Sequence, residues 1–166
     1  MLPRIFPVAL ITLSLAACGV SEEAQIAAYF EESQSVAERM AEVGSTFETL
    51  MDGQDESLAW SEDVKVSLDT HFAAMQGLRD EAAGMAVPRA FSGAHPLLVQ
   101  SIGEMAGAID IIRGIANDPE SATMQKAQEM TAKAENGEEL ANAYVADIEA
   151  ILTAKYPEMM EEGDDE

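Results

Sequence analysis

His95-Pro96-Leu97-Leu98-Val99-Gln100-Ser101-Ile102-Gly103-Glu104-Met105-Ala106-Gly107-Ala108-Ile109-Asp110-Ile111-Ile112-Arg113-Gly114-Ile115-Ala116 sets Leu98, Ile102, Met105, Ile109, Ile112 and Ala116 at alternating steps of four and three residues. That spacing lays one apolar stripe along an α-helix. Proline is tolerated only in a first turn, so the helix starts around His95-Pro96. A helix with one stripe cannot bury it alone, so the stretch predicts a helical partner on that side.

Partners are present on both flanks. Between Ser21 and Met51 the same rhythm runs through Ile26, Tyr29, Ser33, Val36, Met40, Val43, Phe47 and Leu50, and ends at the turn signal Asp52-Gly53-Gln54-Asp55. A second helix is predicted from Ser61, a good N-cap, with seam Val64, Leu68, His71, Met75, Leu78, Ala82 and Met85, ending at Gly84 and Pro88. Trp60, just before that cap, is expected to fold over the bundle end. The fourth helix is predicted from Pro119 to about Lys155, capped by Asp118, with seam Ala127, Met130, Ala134, Gly137, Ala141, Tyr144, Ile148 and Ile151. Asn136-Gly137 is a turn signal in its middle, but the rhythm continues in phase across it, which favours one helix, bent or straight, over two shorter ones. Alanine, glutamate, methionine and leucine dominate, and no strand pattern occurs. These readings predict an all-α fold: an antiparallel four-helix bundle over residues 18–157, followed by a disordered acidic tail at 158–166.

Residues 1–17 have the three parts of an export signal. Arg4 and the α-amino group are positive, Ile5 to Leu15 form an apolar run of 11 residues, and Ala16-Ala17 give a peptidase access to the backbone. A run that short cannot span a bilayer as a helix, which needs roughly 20 residues. The ending Leu15-Ala16-Ala17-Cys18 resembles the lipobox of bacterial lipoproteins. The resemblance implies that the Cys18 thiol receives a diacylglycerol, that the leader is cut just before it, and that the new amino terminus is acylated. It also implies, from Gly19 in place of an inner-membrane retention aspartate, placement at the outer membrane of a cell with two membranes. The segment from Val87-Pro88 through His95, Leu97 and Leu98 and the two following helices is similar to helical-bundle domains of small bacterial lipoproteins, which implies a fold and a location but no activity. Cys18 is the only cysteine, so no disulfide forms within the chain.

Charge narrows the partners. With 9 basic against 31 acidic residues the chain carries a formal charge of −22, which repels nucleic acid and anionic lipid headgroups alike. Catalytic templates are missing: there is no Cys-x-x-Cys-His, no His-Glu-x-x-His and no Glu-x-x-His pair. Asp52-Gly53-Gln54-Asp55-Glu56 approaches calcium-loop spacing, but serine follows where such a loop needs glycine. No enzyme activity and no cofactor are expected. His71 and Met75, one turn apart on the second helix, are the candidate ligands for copper or haem; the competing reading is a hydrogen-bonded core histidine beside a core methionine. In an antiparallel hairpin His95 lies near Met85, about 21 Å along the axis from His71, so the two histidines cannot share a metal.

One further feature is a candidate partner surface. Gly103, Gly107 and Gly114 line up with Asp110 about 145° from the apolar seam of the third helix. Each exposed glycine costs a helix about 1 kcal/mol relative to alanine, and a flat glycine face admits another backbone. The alternatives are glycines tolerated at the surface, or an extra contact inside the bundle. The functional expectation is therefore a lipid-anchored, extracytoplasmic bundle of the bacterial envelope, periplasmic or at the outer membrane, that binds an envelope protein or a second copy of itself. The alternative is a small-ligand or metal-binding module in the bundle interior.

Overall fold

Hydroxyl side chains open three of the four helices. The computed structural model describes residues 21–52 and 60–157. In it α1 spans Glu22–Asp52, α2 Glu62–Gly84, α3 His95–Asn117 and α4 Met124–Lys155, and no strand occurs among the described residues. Ser21 Oγ accepts from the Ala24 amide at 3.2 Å, Ser61 Oγ from the Val64 amide at 3.4 Å, and Thr123 Oγ1 from the Lys126 amide at 3.2 Å. Each satisfies one of the amides that a helix start leaves unpaired. The leader with Cys18, the turn at 53–56 and the acidic tail at 158–166 lie outside the described residues.

The start of α4 differs from the expectation. Asp118 makes no capping bond; Pro119–Ser121 forms a single 3₁₀ turn, and Thr123 caps a helix that begins at Met124. Ala122 adopts extended backbone, φ −63° and ψ 117°, which stops the 3₁₀ turn from growing into the helix. Of the first seam positions predicted for α4, Met130 packs on the bundle but Ala127 and Ala134 are exposed, and Lys133 makes the neighbouring contact instead. Alanine has too little apolar surface to dictate which way a helix faces.

Past that point α4 runs unbroken through Asn136-Gly137. Gly137 is a contact rather than a hinge. It is buried, its carbonyl accepts the Ser101 hydroxyl at 2.7 Å, and a Cβ there would sit 2.9 Å from Met105 Cγ and 3.3 Å from the Ser101 carbonyl. The missing side chain lets α3 and α4 approach closely.

Three apolar clusters stack along the bundle. Ile26, Tyr29, Phe91, Ala94 and Ile148 fill one end; Val36, Met75, Leu78, Leu98 and Ile102 lie at the centre; Leu68, Ile112 and Ala116 fill the other end, where Trp60 and Met130 pack on them. The contacts that join successive helices run in opposite residue order. Arg39 meets Glu81 while Thr46 meets His71; Asp69 meets Arg113 while Arg79 lies over Gly103; Glu104 meets Lys133 while Ser101 meets Gly137. α3 is the hub, with its most extensive contacts to α4 and then α2, whereas α1 leans chiefly on α2.

A polar chain crosses the first of these clusters. The Tyr29 hydroxyl of α1 lies 3.2 Å from Nδ1 of His95 on α3 and 3.1 Å from the Tyr144 hydroxyl of α4, and the Ala82 carbonyl of α2 also faces the His95 ring. Tyr29 stacks on Phe91 with ring centroids 5.4 Å apart and planes 9° from parallel. Burial raises the Tyr29 hydroxyl far above the usual phenol range, so it stays protonated. Burial pushes His95 below its ordinary 6.5, partly opposed by the Ala82 carbonyl.

Two glycine substitutions test this packing. Gly137→Ala is expected to lower stability by about 1 kcal/mol although alanine is the better helix former, because overpacking outweighs propensity. Gly114, with open space above it, should show the reverse: Gly114→Ala gains up to about 1 kcal/mol. Urea unfolding midpoints measure both, and a stabilising Gly137→Ala would contradict the close approach.

Candidate functional site

His71 and Met75 do lie one turn apart on α2, but their surroundings are those of a structural pair. His71 Nδ1 is 2.6 Å from the Ser67 carbonyl, to which it donates, and Nε2 is 3.1 Å from the Thr46 hydroxyl of α1. The ring meets Phe47 edge-on, with centroids 5.9 Å apart. Met75 is buried in the central cluster. A metal at His71 would have to displace Thr46, and Met75 would have to leave the core. No group of three or more histidine, cysteine or acidic side chains converges on a common metal position among the described residues. His95 sits beside the end of α2 and is remote from His71, as the Ala82 carbonyl facing it shows.

The glycine face of α3 is partly roofed by this chain's own cations. Arg79 from α2 crosses Gly103, where a Cβ would meet its Cδ at 3.6 Å; Lys133 from α4 crosses Gly107, where a Cβ would meet its Cδ at 3.0 Å. Asp110 is engaged by Arg113, one turn on, at 2.7 Å. Arg113 also reaches Asp69 at 3.4 Å and stacks over the Phe72 ring at 4.2 Å, fastening α2 to α3. Gly114 alone of the three glycines has open space above it. The four residues therefore do not form one uncovered strip: two glycines serve as beds for long basic side chains, and the free portion shrinks to Gly114.

Beside Arg79 lies a surface groove of about 540 Å³, lined by Arg79, Val99, Gln100, Gly103, Glu104, Asn136 and Leu140. Lys133 is paired with Glu104 at 3.0 Å across its lower edge. Arg79 meets the Gln76 amide oxygen at 3.5 Å and has no carboxylate within ion-pair reach among the described residues. Sequence reading missed this groove because its residues come from three helices and share no spacing. The one available clue was an arginine placed beside, not on, the α2 seam.

No helix among the described residues is long and apolar enough to cross a membrane. No family model matches the chain, and neither a curated protein nor a solved structure matches it significantly.

Proposed function

We propose that this chain is an exported, lipid-anchored helical bundle of the bacterial envelope that works as a structural or protein-interaction module. The observation that carries the reading is the ending Leu15-Ala16-Ala17-Cys18 after an 11-residue apolar run. Only Gly19, Val20 and Ser21 separate Cys18 from the first residue of α1, so acyl chains on that sulfur would hold the Tyr29–His95 end of the bundle beside the bilayer. Each buried methylene contributes about 0.8 kcal/mol, and two or more chains anchor a water-soluble body firmly. The formal charge of −22 keeps that body off anionic headgroups and nucleic acid. The interior is filled by the chain's own side chains, which favours display of an outer surface over turnover of a substrate. The open part of the α3 face, at Gly114, is available to an envelope protein or a second copy.

Mass spectrometry of the protein made in a bacterial host tests the anchor. The mature chain is expected to begin at Cys18 with the mass of a diacylglycerol added and to stay with membranes in high salt; Cys18→Ser loses both. An unmodified cysteine on a freely soluble wild-type chain would contradict the reading.

A second reading, a small-ligand module, gains support from the α3 groove rather than from His71 and Met75. Arg79 offers a guanidinium to a carboxylate, Gln100 and Asn136 offer amides, and Val99 with Leu140 flank room for a short apolar chain. Hexanoate is the probe: on this reading it shifts the amide resonances of Gly103 and Leu140 saturably, and Arg79→Gln removes the effect. Unshifted resonances at millimolar hexanoate would dismiss it.

A further inference from the structure

The hydrogen-bond donors in the buried chain can be assigned from its ends. The Ala82 carbonyl can only accept, so the His95 nitrogen facing it carries the proton. Neutral His95 then accepts at Nδ1 from the Tyr29 hydroxyl, and Tyr29 accepts from Tyr144. One more proton on His95 makes Nδ1 a donor. The Tyr29 hydroxyl must then accept from the ring and turn its own proton toward Tyr144, whose half-buried hydroxyl must turn outward in its turn.

Nothing around the ring compensates the charge that this adds. α1 presents Tyr29, edge-on to the ring and itself stacked on Phe91, α4 presents Tyr144 behind it, and α2 presents the Ala82 carbonyl. No ion pair among the described residues involves His95. Glu22, in the first turn of α1, accepts instead from the Tyr156 hydroxyl at 2.7 Å. A chain with 31 acidic residues thus holds a buried histidine that none of the described ones pairs with. An imidazolium there is desolvated among apolar side chains.

We propose that the Tyr29–His95–Tyr144 chain is an acid-sensitive latch, which fastens the first turns of α1 to the other three helices and is loosened when His95 takes up a proton. The sign follows from burial of the neutral ring. The closed form binds the proton less well than the open form, so the stability contributed by the latch is complete above about pH 6.5 and is lost progressively as pH falls below it, by up to about tenfold in the opening equilibrium per pH unit. Carboxylate protonation, which starts nearer pH 4.5, relieves like-charge repulsion and acts in the opposite direction. Where Cys18 bears the lipid, a consequence resting on the function proposed above, opening Glu22 to Val36 lengthens the tether by tens of ångströms, at about 3.3 Å per residue extended.

The latch itself is testable without the anchor, on the soluble chain beginning after residue 18. Hydrogen exchange at the α1 amides, corrected for the intrinsic pH dependence, is expected to report up to about fivefold more opening at pH 5.5 than at pH 6.5, with α3 amides changing less. His95→Gln, neutral at both pH values, should abolish the pH response. Should that variant fail to fold, a carbon-detected titration of the wild-type His95 ring provides the second readout, with His95 expected below 6.5. Exchange at α1 that is independent of pH, an equal acid response in His95→Gln, or a His95 titration at or above 6.5 would each overturn the latch.

Discussion

A tyrosine hydroxyl buried as deeply as that of Tyr29 must find partners in the protein, and only the joint arrival of all four helices supplies them. α1 brings the hydroxyl, α3 the imidazole, α4 a second hydroxyl and α2 a carbonyl. Leaving any of these groups unpaired costs about 1–3 kcal/mol, a large share of what a domain of this size has in hand. The apolar stripes drive collapse but tolerate sliding. The polar chain does not: a shift of one residue in any helix moves a partner out of reach. It therefore selects one register from the many that a set of alternating stripes permits, and it does so at the end of the bundle where the chain leaves toward Cys18.

Close approach is the second constraint, and it belongs to α3. Gly137 brings α4 near enough for its carbonyl to take the Ser101 hydroxyl, while Gly103 and Gly107 leave room for the stems of Arg79 and Lys133. The cost in helix propensity is about 1 kcal/mol per glycine. It is offset differently at each site, by a buried hydrogen bond at Gly137 and by packed methylene stems at the other two. The ion pairs that accompany these contacts are half-exposed at best and worth about 0–1 kcal/mol each. They orient neighbouring helices more than they stabilise them.

Much of this was legible in the chain before folding. Four seams at three-four spacing identify four helices, and Leu98, Ile102, Ile109, Ile112 and Ala116 on α3 are buried as that spacing requires. Ser61 caps α2 as its residue type suggests. Where the reading erred, the deciding term was not local. Asp118 and Thr123 are both acceptable caps, and the extended backbone at Ala122 decides between them. The in-phase seam rightly carries α4 through Gly137 despite its local turn signal, but the role of that glycine is set by Ser101, distant in sequence. His95 reads as an ordinary first-turn residue, since nothing near it announces Tyr29. The glycine face was visible by periodicity, but the long side chains that cover it were not, because cations on neighbouring helices leave no trace in the α3 spacing.

Function is carried by sequence and architecture in unequal parts. The leader ending at Cys18 argues for attachment, while the bundle argues for a filled interior and a surface set apart from nucleic acid and anionic lipid by its charge. What links the two is the end of the molecule at which α1 begins, since it holds both the approach to the cysteine and the buried polar chain. The most direct measure of that account is a double-mutant cycle between Tyr29→Phe and Tyr144→Phe, read by urea unfolding near pH 7.5. A shared hydrogen-bond chain predicts a coupling of about 1 kcal/mol between the two hydroxyls; strictly additive effects would mean that the hydroxyls act separately and that the bundle end is held by apolar packing alone.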